Sequence, residues 1–141
     1  MLLEFLANCI WLFHVSVIVF VIFAPFTQIP AILILHITFA VCLLMHWYTN
    51  SNACSLTILE SYLRGLPPDS TFMHQLISPI YDISSTDLNY LVHIVTYLTL
   101  ILSIYYLYNN TKFQETMECY TKLKEKSFTN VMDCFTSLFI F

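Results

Sequence analysis

Residues 5–26, FLANCIWLFHVSVIVFVIFAPF, run without a single charged side chain. As a helix rising about 1.5 Å per residue, this stretch reaches about 33 Å, enough to cross a hydrocarbon core of about 30 Å. Two further runs are equally free of charge: 30–48, PAILILHITFAVCLLMHWY, and 88–108, LNYLVHIVTYLTLILSIYYLY. A water-soluble fold has no means of covering so much apolar surface. The 141 residues are 58% hydrophobic and 10% charged, whereas soluble domains carry about 25% charged residues. The expected fold is an all-α membrane protein with three transmembrane helices.

The first run has an alternative reading as a secretory signal peptide. That requires a basic leading region, a shorter apolar core and a small-x-small cleavage site. Here the early charge is Glu4, and Ala24 is followed by Pro25 and Phe26. A retained first span is therefore expected. Pro25 and Pro30 bound a short uncharged turn, because proline stops one helix and suits the first turn of the next.

Composition removes several function classes. With one glycine there is no phosphate-cradling loop. A net charge of −4 with five basic residues leaves no footprint for nucleic acid. Five cysteines, none in a CxxC pair, offer neither a zinc framework nor an obvious disulfide scaffold.

Between the second and third runs, residues 49–87 are expected to form an outer cap. Asn50, Ser51 and Asn52 are turn formers. Thr57-Ile58-Leu59-Glu60 has capping-box spacing for a short helix with Ile58, Leu59, Tyr62 and Leu63 along one side. Glu60 and Arg64 stand four apart in the favourable order, and Gly65 before Pro67 and Pro68 reads as a stop. Too brief to span, this helix should lie in the interface. Phe72, Leu76 and Ile77 suggest one more interfacial turn before Pro79, and Ser84 to Asp87 supply N-cap candidates.

In the third run Asn89, His93, Thr96 and Ser103 follow helical spacing, with Thr99 at the edge of the stripe. Polar side chains are costly in lipid, so the stripe should face other helices or a wet cavity. Beyond it, residues 109–141 hold Lys112, Lys122, Lys124 and Lys126, four of the five basic residues. The excess of lysine places this tail in the cytoplasm and puts the N-terminus and residues 49–87 on the opposite face. Phe128, Val131, Met132, Phe135, Leu138 and Phe139 fit an amphipathic C-terminal helix too short to span. The sequon Asn109-Asn110-Thr111 abuts the membrane on the cytoplasmic side, where no glycan is expected. The chain thus divides into a three-span domain, 1–108, and a tail, 109–141.

Cys54, Leu56, Thr57, Leu59 and Glu60 form Cys-x-Leu-Thr-x-Leu-Glu, followed by Phe72 and Pro79-Ile80-Tyr81. This pattern resembles the mark of a family of small bacterial multi-spanning membrane proteins of unknown function. His14 and His36 look like that family's histidines in the first two spans. The arrangement His46, Trp47, Asn50, Asn52, Cys54 is similar to versions found in large DNA viruses, which implies a virion's internal membrane as a site of action. The likeness extends over roughly residues 10–108. Ser55 and Ile58 stand where the family usually has proline, and the lysine-bearing tail is an addition. The resemblance implies an architecture and no particular activity.

The histidines are the sharpest chemical candidates. His14 and His36 fall at similar depth if the first two helices pair as a hairpin, and His46 and His93 both lie near the outer face, which suggests bis-histidine haem ligation. Helices joined by so short a turn pack about 8–10 Å apart and leave no room for a macrocycle, so hydrogen bonding across helices is the favoured reading. His46, Cys54, Glu60 and His74 are acceptable zinc ligand types, but without a recognised spacing. A thiol nucleophile from Cys54 with His46 or His74 lacks an orienting third group. Transport through the polar stripe would require an oligomer. The sequence therefore supports a non-enzymatic structural or assembly component without a cofactor. Its expected partners are the bilayer, other membrane or capsid-associated proteins and further copies of itself.

Overall fold

The computed structural model describes residues 1–67, 85–123, 127–136 and 138–139. Within them the chain is all-helical: α1 (Leu2–Phe23), a 3₁₀ turn (Ala24–Thr27), α2 (Pro30–Thr49), α3 (Ser55–Arg64), α4 (Ser85–Tyr108), α5 (Thr111–Lys122) and α6 (Phe128–Thr136). Among the described residues three segments are long and apolar enough to cross a membrane: Leu2–Thr27, Pro30–Thr49 and Thr86–Tyr108. The interfacial turn expected around Phe72, Leu76 and Ile77 lies outside the described residues, as do Lys124 and Lys126.

The first helix begins and ends three residues earlier than the sequence run suggests. Pro25 cannot donate to the helix, the backbone tightens into the 3₁₀ turn, and Gln28 reverses the chain at φ 55°. Pro30 then occupies the first position of α2, where its missing N–H costs nothing. Despite this tight turn, α1 and α2 do not pack along their length. α2 lies chiefly against α4, and α1 is covered chiefly by α3.

The bundle is inverted relative to a soluble one. Ala7, Ala40, Thr96, Thr99 and Ser103 are buried, whereas Leu12, Phe13, Leu35, Leu98 and Ile101 are exposed. Small and polar side chains permit close helix approach, while bulky apolar ones suit lipid. α3 follows the same rule. It buries Thr57, Glu60 and Ser61 and exposes Ile58, Leu59 and Tyr62.

The capping box is not formed at the start of α3. The helix starts two residues before Thr57, with Cys54 as N-cap, and the amide of Ser55 is met instead by the imidazole of His46 (N···N 3.3 Å). The stop signal acts as its residues suggest. Gly65 adopts φ 65°, and the amides of Gly65 and Leu66 donate to the carbonyls of Tyr62 and Ser61, the paired closure of a Schellman motif.

Two features of the tail escape the sequence reading. Asn110 caps a helix, α5, that the amphipathic pattern did not reveal, accepting from Phe113 N at 3.2 Å. Its Nδ2 also donates to the carbonyl of Gln28, tying the tail to the α1–α2 turn. In addition, Cys119 and Cys134 form a disulfide between α5 and α6, where no scaffold was expected. The contact of Tyr120 with Phe135, centroids 6.2 Å apart, packs the same pair of helices.

Candidate functional site

Pro25 sets up the central polar contact of the bundle. In a regular helix the amide of residue 25 would donate to the carbonyl of Val21, and proline has no such donor. An orphaned carbonyl in the hydrocarbon region costs several kcal/mol unless another group fills it. The Nε2–H of His36 donates to it at 3.0 Å. Because that nitrogen carries the proton, Nδ1 is an acceptor, and Ser103 Oγ donates to it at 2.8 Å. His36 is 0% exposed, and its ring joins α1, α2 and α4 at one point. Phe20 closes over the same imidazole at a centroid distance of 5.8 Å.

This contact corrects the expected depth of the histidines. His36 sits at the level of Val21, seven residues beyond His14, or about 10 Å along the helix. The expectation of similar depth, a few ångströms apart, assumed a paired hairpin, and α2 turns away to pack on α4.

The other described histidines serve different elements. His14 is buried, and its Nε2 lies 3.8 Å from Cys54 Sγ. His46 Nε2 stands 3.1 Å from Ser55 Oγ as well as near its amide, so it acts as the cap that the side chain of Cys54 does not provide. His93 Nδ1–H donates to the carbonyl of Asn89 at 2.8 Å, and its ring packs on Trp47 with centroids 4.6 Å apart.

Of the conceivable metal set, Cys54 meets His14 rather than His46, and Glu60 points to a separate polar cluster. Among the described residues no three of His, Cys, Asp and Glu gather as a metal site. His74, Pro79 and Tyr81 lie outside the described residues. Of the remaining motif residues, Asn50 Nδ2 donates to Ala53 O at 2.9 Å and shapes the turn into α3, and Asn52 N donates to Trp47 O at 2.8 Å. Leu56 and Thr57 line a cavity, whereas Leu59 is exposed.

At the far end of α3, Glu60 Oε1 accepts from Arg64 Nε at 2.9 Å, and Arg64 Nη2 donates to Asn8 Oδ1 at 2.9 Å. Glu60 is 3% exposed, and among the described residues its second oxygen, Oε2, has no hydrogen-bond partner. α3 is thus held to α1 near both ends, by Cys54–His14 and by Arg64–Asn8.

The stripe on α4 divides into two parts. Thr96, Thr99 and Ser103 are buried; the first two bond the carbonyls of Val92 and Thr96, and Ser103 bonds His36. Asn89 and Thr96 also face a partly enclosed cavity of about 590 Å³ lined by α1, α2, α3 and α4. Its deeper wall is apolar, with Val17, Ile18, Val21, Val92 and Val95, and His14, Asn52, Cys54 and Thr57 are among its polar lining groups. The stripe in the sequence allowed for a wet cavity, and the helices that enclose this one become evident only in the fold, where α1 meets α3 more than α2.

Comparison with curated proteins and with solved structures finds no match. The model of a family described as a protein of unknown function (DUF2784) matches residues 4–109, from the start of α1 to the end of α4. Three membrane-capable helices, the helix placed between the second and third, and the histidine contacts all fall inside that stretch, and the chain belongs to this family.

Proposed function

We propose that the protein is a non-enzymatic, three-span membrane protein that acts as a structural or assembly component of a membrane complex. The His36 node carries this reading. Among the described residues, the most deeply buried imidazole has both ring nitrogens committed to holding three helices together, one to a carbonyl and one to a hydroxyl. His46 is likewise engaged as a helix cap, and Thr96 and Thr99 are bonded to their own helix. The two histidines join separate helices and the two threonines satisfy their own helix, and groups so engaged are unsuited to haem ligation or to a conducting path.

In this reading α3 is a cap embedded at the outer boundary, its exposed Ile58, Leu59 and Tyr62 turned to lipid. α6 lies along the inner leaflet or on a partner protein. The viral likeness of the motif from His46 to Cys54 extends the reading to a virion's internal membrane. Lysine placement assigns the tail to the cytoplasmic side. Disulfides persist in oxidising compartments, so Cys119–Cys134 is an opposing signal. The lysine assignment is retained, and in a reducing compartment the α5–α6 pair would rest on packing such as that of Tyr120 on Phe135.

Purification from the native membrane in mild detergent, followed by sizing and mass spectrometry, tests the role. A defined complex of fixed stoichiometry with other membrane or shell proteins is expected. A lone chain carrying a stoichiometric haem Soret band would refute it.

A further inference from the structure

The cavity lined by α1, α2, α3 and α4 carries an inference that goes beyond a structural role. Its volume of about 590 Å³ lies within the range of small-molecule sites, about 300–1,000 Å³. At roughly 30 Å³ per water-sized group, it holds on the order of twenty such groups, the bulk of one lipid chain. Within a membrane-spanning bundle, an apolar space of this size is not stably filled by water, which would find too few partners among Val17, Ile18, Val92 and Val95.

The lining also states what kind of lipid fits. Hydrogen-bonding groups are present at His14, Asn52, Thr57 and Asn89, yet among the described lining residues none is Asp, Glu, Lys or Arg. A phosphate or carboxylate headgroup placed there would be desolvated without a counter-charge, which is strongly unfavourable. A hydroxyl or ester carbonyl would be matched. We propose that the cavity binds one uncharged, single-chain lipid, a monoacylglycerol in chemical class. Its chain lies along the valine wall between α1 and α4, and its hydroxylated head meets Asn52, Asn89 and the His14–Cys54 pair. The inference is independent of the assembly role, and its failure would leave that reading intact.

Trp47 lines the cavity, and Trp11, the second tryptophan of the chain, is not among its lining residues. The Trp11→Phe protein in phosphatidylcholine vesicles therefore reports on the site through a single indole. Titration with monoacylglycerol brominated along its chain is compared with similarly brominated fatty acid and phosphatidylcholine. Saturable quenching by the neutral single-chain lipid is expected, with a midpoint at least about tenfold lower than for the other two. Val95→Phe and Val17→Phe, each narrowing the cavity from a different helix, should raise that midpoint about tenfold. Equal quenching by all three lipids means contact with bulk bilayer only and overturns the proposal, as does quenching that never saturates. Should one narrowed variant fail to fold, the other variant and the three-lipid comparison on the Trp11→Phe protein still decide the matter.

Discussion

Replacing His36 by leucine tests whether the proline-orphaned carbonyl organises the bundle. Leucine fills much of the same space but offers no donor to Val21 O and no acceptor to Ser103. Ser103 can turn its hydroxyl to a carbonyl one turn back on its own helix, so its loss is small. Val21 O has no such recourse, because the residue four positions on is Pro25. A buried polar group left unpaired costs about 1–3 kcal/mol, and interhelical hydrogen bonds in membrane proteins average about 0.6 kcal/mol. His36→Leu should therefore destabilise by about 1–2 kcal/mol. Pro25→Ala restores an amide within reach of Val21 O. In that background the same His36→Leu change should cost about 1 kcal/mol less, a positive coupling between two residues that share one acceptor. Reversible unfolding of the four proteins in mixed micelles measures the cycle. Additive costs, within about 0.3 kcal/mol, would refute the idea that His36 serves the carbonyl freed by Pro25.

Arg64→Ala should destabilise the contact between α3 and α1 more than Glu60→Gln does. The arginine change leaves a buried carboxylate without its cation, costing about 2–3 kcal/mol after allowance for the partial exposure of Arg64, whereas the glutamine change leaves a neutral amide. Micelle unfolding ranks the two, and the reverse order would contradict the assigned burial of Glu60. On α5, the hydrogen bond and charge of Lys122 hold the Glu118 carboxyl below its ordinary range. A depressed carboxyl adds stability above its unfolded value, about 4.3, and loses it as pH falls through the lower folded value. Carboxyl NMR titration should find Glu118 low in the parent protein and returned to the ordinary range in Lys122→Ala.

How far the sequence reaches can be judged element by element. α4 ends at Tyr108, where its apolar run gives way to Asn109 and Asn110, and α2 departs by one residue at its C-terminal end. Length and absence of charge are local properties, and the bilayer acts on each segment separately. Glu60–Arg64 and the Gly65 stop were legible for the same reason, since partners four residues apart on a helix meet whatever surrounds them. Asn110 shows how close a local signal can come and still be misread. It stands inside a glycosylation sequon and serves as a helix cap, because the chain turns at that point into α5.

The identity of each long-range partner lay beyond such reasoning. His36 and Ser103 are 67 positions apart and meet because α2 packs against α4; Cys54 and His14 are 40 apart and meet because α3 covers α1. Pro25 announces that a carbonyl will be left bare, but nothing in its neighbourhood says which donor will fill it. The cavity likewise belongs to no single segment; it is the space left when α3 is wedged beside α1. Composition and run length alone determined that this chain has three helices able to cross a membrane. Tertiary packing decided what its histidines hold and where its interior stays open, because hydrogen bonds and voids between helices depend on relative placement that no window of sequence contains.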